Sequence, residues 1–185
     1  MSRLAILIDG GYVDKVLQDE FGGAKILYDK LAQEVAGLVS SQQNILRVYY
    51  YHCLPFKSDP PTREEAERFS SSQNFFDALN RLPRFEVRLG RIYPRGRNAD
   101  GTMKVEQKMV DVLISVDLVR LATRGQVTDI VIASGDSDFV PAIQVAKDEG
   151  VLIWLLHGAK PHSELLNIVD ERLRLNAELM KRIKR

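Results

Sequence analysis

The sequence predicts an α/β sandwich built on a mainly parallel sheet, and three observations predict it. Continuous apolar runs at residues 4–8, 130–133 and 151–156 suit strands covered on both faces. These runs, with two further strand-like ones, alternate with segments of helical composition, the pattern of parallel strands joined by crossovers. Two of the helical segments are followed by a glycine, Gly125 and Gly150, which marks a helix stop.

Each element follows in order. The first strand is residues 4–8. A helix over 27–39 leads to a second strand at 45–52, whose aromatic and aliphatic side chains favour a pleated surface. Residues 55–61 form a loop and 62–82 a second helix. The third strand, 85–93, alternates with apolar Phe85, Val87 and Leu89 before Gly90 breaks the pattern, which reads as a half-exposed strand near the sheet edge. A loop at 94–102 precedes a helix over 104–124. The fourth strand is 130–133, then a helix over 140–149 and the fifth strand, 151–156. Residues 162–185 read as one or two closing helices.

The 185 residues suffice for one well-buried domain, so a single domain over 1–185 is expected. Hydrophobic residues make up 45% and charged residues 28%, ordinary for a globular chain, and the net charge of +1 gives no global argument for nucleic acid or membrane. The first apolar run is short for a signal peptide, and no run approaches the ~18 apolar residues of a membrane-spanning helix. Cys53 is the single cysteine, which excludes an internal disulfide and fits a reducing compartment. The expectation is a cytoplasmic protein with no membrane contact.

Carboxylates at strand exits carry the chemistry. Asp9 follows the first strand, and Asp136 and Asp138 follow the fourth through Ser134, Gly135 and Ser137. In open α/β sheets ligands bind beyond the carboxyl ends of the strands, at the point where strand order reverses. If the first and fourth strands are neighbours, Asp9 and Asp136 share one crevice, with Gly10 and Gly11 turning the chain sharply beside Asp9. Buried carboxylates that repel one another require a cation or a shared proton. The competing explanation is helix capping, with Asp138 as the N-cap and Pro141 in the first turn.

The helix over 104–124 is apolar almost all round from 109 to 122, and its polar residues form two stripes. Lys108, Asp111 and Ser115 share one face, where Asp111 is either neutralised by Lys108 or directed into the Asp9/Asp136 crevice. Asp117, Arg120 and Arg124 share another, which reads as a solvated ion-pair face. Oxygen ligands without clustered histidine or cysteine suit Mg²⁺ or Mn²⁺ rather than zinc. Such an ion activates water and steadies a phosphoryl oxyanion, the chemistry of phosphodiester hydrolysis.

Four stretches then carry a resemblance: Leu7-Ile8-Asp9-Gly10, Gln107-Lys108-Met109-Val110-Asp111-Val112, Val116-Asp117-Leu118, and Ile132-Ala133-Ser134-Gly135-Asp136-Ser137-Asp138-Phe139-Val140-Pro141. From residue 3 to about 170 the sequence resembles the NYN domain family, a branch of the PIN-like metal-dependent ribonucleases that includes the LabA-like proteins. The resemblance implies a three-layer, Rossmann-like α/β/α sandwich with a central parallel sheet of about five strands. It implies an endoribonuclease acting on single-stranded or structured RNA through a Mg²⁺ or Mn²⁺ pocket. Asp9, Asp111 and Asp136 hold the metal in that reading, and Asp138 joins them in catalysis. Asp117, Lys108, Ser134, Ser137 and Tyr12 take secondary places. Tyr12 is a departure, since the family often has asparagine there.

Between residues 81 and 108 eight basic side chains stand against Glu86, Asp100 and Glu106. Arg88, Arg91, Arg95, Arg97 and Lys104 are the candidate RNA contacts, with Tyr93 to stack a base; a solvated strand face is the alternative. Single strands are favoured because no groove-reading helix motif is present. The basic end, 181–185, reads as a solubilising tail. His52 reads as a packing residue, while His157 ends the fifth strand on the presumed active edge.

Neither a nucleophile elbow, a P-loop nor GxGxxG occurs, which leaves triad hydrolase, nucleotide triphosphatase and dinucleotide readings unsupported. Two other classes compete with the nuclease. Gly135-Asp136 also resembles the last motif of haloacid-dehalogenase-like phosphatases, but that chemistry wants a second aspartate where Gly11 stands. A non-catalytic nucleic-acid-binding or regulatory module is favoured by Tyr12. The third strand and the C-terminal helices each offer a surface for a homodimer.

Overall fold

The computed structural model describes residues 3–41, 44–98 and 103–185. In chain order the elements are β1 (Arg3–Asp9), α1 (Gly10–Phe21), α2 (Tyr28–Val39), β2 (Asn44–His52), α3 (Arg63–Asn80), β3 (Phe85–Leu89), β4 (Arg91–Arg97) and β5 (Met103–Lys108). Then follow α4 (Val110–Thr123), β6 (Asp129–Ala133), a 3₁₀ turn (Ser137–Phe139), α5 (Val140–Asp148), β7 (Leu152–His157), α6 (Ser163–Ile168), β8 (Glu171–Arg174) and α7 (Ala177–Ile183).

Six strands form one sheet in the order β3-β2-β1-β6-β7-β8, and every neighbouring pair is parallel. Leaving out the β4–β5 hairpin, the order is the 3-2-1-4-5-6 of a Rossmann-type sheet, with its reversal between β1 and β6. The sheet thus has six strands where about five were expected. The additional one, β8, lies in the tail expected to be helical; its Leu156↔Leu173 pairing with β7 and the Leu175 N–H to the His157 carbonyl (2.9 Å) hold it in place.

Strand alternation sends side chains to two cores. Leu4, Ile6 and Ile8 of β1 meet Val13 and Leu17 of α1, Leu31 and Val35 of α2, and Met180 and Ile183 of α7. On the other face, Ala5 and Leu7 meet Ile114 and Leu118 of α4 and Ile143 of α5. The result is three layers. Each fully buried Leu, Ile or Val contributes roughly 1.5–3 kcal/mol relative to exposure, so the exits of β1 and β6 lie at the rim of a well-anchored sheet. Among the described residues no helix is long and apolar enough to cross a membrane.

Three local departures from expectation have physical causes. Gly10 and Gly11 open the helix α1 rather than a bare turn, because the Asp9 side chain caps it by accepting from the Tyr12 N–H. The third strand ends at Leu89; after Gly90 the chain leaves the main sheet and pairs antiparallel as β4 with β5. A Cβ on Gly90 would lie 2.5 Å from the Lys108 carbonyl oxygen, so the two hairpin ends approach too closely for any other residue. The segment expected to be a helix from 104 is therefore strand up to Lys108. Met109, with φ of 76°, separates the hairpin from α4, and the expected loop at 94–102 is strand as far as Arg97, while residues 99–102, including Asp100, lie outside the described residues.

Candidate active site

The register of β1 against β6 builds the site. Ile8 pairs with Ala133, so the next residues, Asp9 and Ser134, leave the sheet side by side. The Ser134 hydroxyl is fully buried; it donates to Asp9 Oδ2 at 3.4 Å and accepts from the Asp136 N–H at 3.3 Å. Asp9 Oδ1 accepts from the Tyr12 N–H at 3.1 Å. Asp136 accepts from the Asp138 N–H at 2.9 Å and so caps the 3₁₀ turn. The expected assignment of the cap to Asp138 is reversed: α5 has no side-chain cap, Asp136 does the capping, and Asp138 is exposed beyond it.

Asp9, Asp111 and Asp136 line one cleft of about 880 Å³ together with Tyr12, Gln107 and Ser137. Asp138 does not line it, yet its charge reaches Asp111. Burial raises the Asp9 carboxyl above its ordinary value; the Tyr12 N–H opposes the rise, Asp111 adds to it, and Ser134 and His52 oppose it. Asp111 is raised by burial, then by Asp136 and Asp138. Among the described residues no cation contributes to the shift of Asp111. Lys108 sits on β5 rather than on the helix and pairs with Glu106 at 3.7 Å, so the neutralisation of Asp111 by Lys108 does not occur.

Among the described residues no three or more His, Cys, Asp or Glu side chains are placed to hold a metal ion as they stand. The chemistry of the donors still fits a hard ion: they are carboxylate oxygens without sulfur or imidazole, and Mg²⁺ keeps several waters and takes only one or two carboxylates directly. The charge is the stronger sign. Asp9 and Asp111 are each raised in part by a neighbouring carboxylate, and such repulsion is what a divalent cation relieves.

Tyr12 forms a wall of the cleft. A Cβ on Gly135 would come within 2.4 Å of its ring, and its hydroxyl accepts from the Gly158 N–H at 3.0 Å. Glu20 accepts from the Ala159 N–H at 2.7 Å. Together they fasten the loop after β7 to α1. That loop and α1 bring Lys15, Lys160 and His162 to the same cleft, residues that no sequence motif marks. Lys15 had no place without α1, and Lys160 had no signal beyond following a strand at the ligand-binding edge. His52 and His157 do not line the cleft. His52 Nε2 lies 3.2 Å from Asp14; burial works against its charge, but its hydrogen bonds to Asp14 and to the Cys53 carbonyl prevail and raise it.

Asp117 is not on a solvated face. It is 1% exposed and accepts from Tyr51 Oη at 2.8 Å, Arg88 Nη1 at 3.0 Å and Arg120 Nη2 at 2.9 Å. Arg88 also pairs with Glu86 at 2.8 Å and lies over the Tyr49 ring. Arg88 is thereby removed from the candidate RNA contacts and ties α4 to β2 and β3. Arg91, Arg95, Lys104 and Arg97 are exposed on the hairpin, where Arg95 pairs with Glu106.

Comparison with known proteins agrees with this architecture. The family model described as NYN domain matches residues 3–176. An uncharacterized protein, y4oD, from Sinorhizobium fredii is 34% identical over 79 residues, 43% of this chain; the match spans 33% of that protein's length. The crystal structure of VPA0982, a protein of unknown function from Vibrio parahaemolyticus, superposes with a TM-score of 0.66 at 17% identity over 96% of this chain and 94% of that one, and so shares the fold.

Proposed function

The chain belongs to the NYN domain family, within the PIN-like nuclease superfamily, and from that premise we propose that it is a metal-dependent endoribonuclease hydrolysing phosphodiester bonds of single-stranded or structured RNA. One observation carries the reading: Asp9 and Asp111, from different elements, line one cleft with Asp136, and both carboxyls are raised by burial and by neighbouring carboxylates. Asp9, Asp111 and Asp136 would hold Mg²⁺ or Mn²⁺, and Asp138 adds negative charge behind Asp111.

A bound ion of this kind supplies an activated water and positive charge against the phosphoryl oxygens. The protein's own part is positional. The Tyr12 N–H and the Ser134 hydroxyl fix both oxygens of Asp9. The capping bond orients Asp136. Lys15 and Lys160 line the same cleft and would receive the flanking phosphates as counter-charges.

The test is cleavage of a labelled single-stranded RNA in Mn²⁺ or Mg²⁺ beside Asp136→Asn. Asparagine keeps the capping oxygen and removes only the charge, so the variant is expected to fold and to lose at least about a hundredfold in rate. Equal rates for the two proteins, or RNA left intact with every divalent ion tried, would refute the reading. Tyr12 favours a second one, a nucleic-acid-binding module without turnover, since its ring occupies the wall where the family often has a smaller amide. Binding without cleavage selects it.

A further inference from the structure

A second cleft of about 640 Å³ adjoins the acidic one, and Gln107 lines both. Its walls follow from strand register. Directly opposed residues of an antiparallel pair share a face, so Ile92↔Gln107 and Pro94↔Val105 lie on one side of the hairpin. Arg91↔Lys108 and Tyr93↔Glu106 lie on the other. The second side carries the charge: Arg95 pairs with Glu106, Lys108 pairs with Glu106 at 3.7 Å, and the Lys108 ammonium lies over Tyr93. The first side is mostly apolar and is the one that lines the cleft, through Ile92, Met103 and Val105, with Arg97 beside Met103.

The rest of the lining is Phe56 with polar groups from the first half of α3 and its middle, including Arg68 and Ser72. Its acid Glu65 is already engaged, accepting from the Thr62 N–H at 2.9 Å and from Ser58, while Glu64 stays at the exposed rim. An apolar slot with hydroxyl and amide groups among its lining, and the guanidinium groups of Arg68 and Arg97, matches a nucleotide: two flat apolar faces, a polar edge and a phosphate.

We propose that this cleft is a nucleoside subsite, in which the base next to the scissile phosphate lies between Phe56 and the apolar face of the hairpin, with Gln107 at the threshold. The inference rests on the nuclease reading for the position of the phosphate. Gln107 offers both a donor and an acceptor to the base or to the bridging phosphate. The basic outer face of the hairpin then holds no base and contributes only general attraction for the strand.

The test uses the full chain in EDTA, so that binding is read without cleavage. A fluorescein-labelled 12-nucleotide single-stranded RNA is titrated by anisotropy against wild type, Val105→Trp, which fills the slot, and Arg91→Ala on the outer face. Val105→Trp is expected to weaken binding about tenfold; Arg91→Ala should lose less, and its loss should vanish in high salt. Because the bulky variant alters the hairpin, wild-type protein is also titrated with uridine 5′-monophosphate by amide NMR, where shifts at residues 53–58 and 103–107 are expected. Unchanged RNA affinity in Val105→Trp, or nucleotide shifts confined to other residues, overturns the subsite. Cleavage with no binding in the slot sinks the subsite and leaves hydrolysis standing; binding in the slot without cleavage in any divalent ion does the reverse.

Discussion

Replacing Asp117 by alanine separates a buried structural hub from a solvated ion-pair stripe. The carboxylate is 1% exposed and accepts bonds of 2.8, 3.0 and 2.9 Å from Tyr51, Arg88 and Arg120. The Nε atoms of Arg88 and Arg120 are buried without partners, so both guanidinium groups depend on Asp117 for much of their compensation. Removing one partner from a buried ion cluster costs about 3–5 kcal/mol. The arginine side chains keep 23% and 35% exposure, which favours the lower end, about 3 kcal/mol. At roughly 2–4 °C per kcal/mol for a chain of this size, Tm falls by roughly 6–12 °C. Urea unfolding followed by far-ultraviolet dichroism measures the loss directly. Tyr51→Phe removes one bond to the same charge, and an intermediate loss of about 1.5–3 kcal/mol is expected. The phenol is held far above its usual range, by burial and then by Asp117, so it stays protonated and donates to the carboxylate. A loss under about 1 kcal/mol for Asp117→Ala, the size of an exposed pair, would refute the hub.

Two further outcomes follow from the cleft. The raised Asp9 carboxyl means that the folded chain keeps its proton to higher pH than the unfolded chain, so this group's stabilising contribution is full below the ordinary value of 3.8 and lost as pH rises through the folded value. Asp9→Asn keeps the cap on α1 and abolishes that decline; in metal-free buffer its melting temperature is expected above wild type at pH 7 and level with it near pH 3, and the reverse order would contradict the repulsion. Gly135→Ala drives a methyl to within 2.4 Å of the Tyr12 ring; a loss of about 1–3 kcal/mol is expected. Adding Tyr12→Ala should relieve the clash non-additively in a double-mutant cycle.

The parts of the fold visible in the sequence were those set by local pattern. The continuous apolar runs of β1 and β6 are buried on both faces, as is that of β7 beyond its exposed first residue, Leu152, and the alternation in β3 marks the edge strand it forms. The hairpin was invisible because its residues are nearly all exposed, leaving no period for burial to impose, and Met103–Lys108 has a composition compatible with a helix. β8 was hidden by its length, four residues with only Leu173 partly covered. Asp117 failed for a different reason. Helical spacing correctly grouped it with Arg120, but its burial depends on Arg88 and Tyr51, 29 and 66 residues away in sequence, and no local count contains that.

The acidic site was legible in its residue types yet not in its division of labour, and strand register explains the difference. Asp9 and Ser134 meet because Ile8 pairs with Ala133. Had the strands slipped by one residue, Ser134 would face the other side of the sheet and Asp9 would lose a hydrogen-bond donor. The same register decides between Asp136 and Asp138. With Ser134 bound to both Asp9 and the Asp136 N–H, the chain turns so that Asp136 enters the cleft while one of its oxygens caps the 3₁₀ turn. Capping and ligation therefore are not rival explanations of this carboxylate. A carboxylate has two oxygens, and a cap that occupies one leaves the other for the cation proposed above.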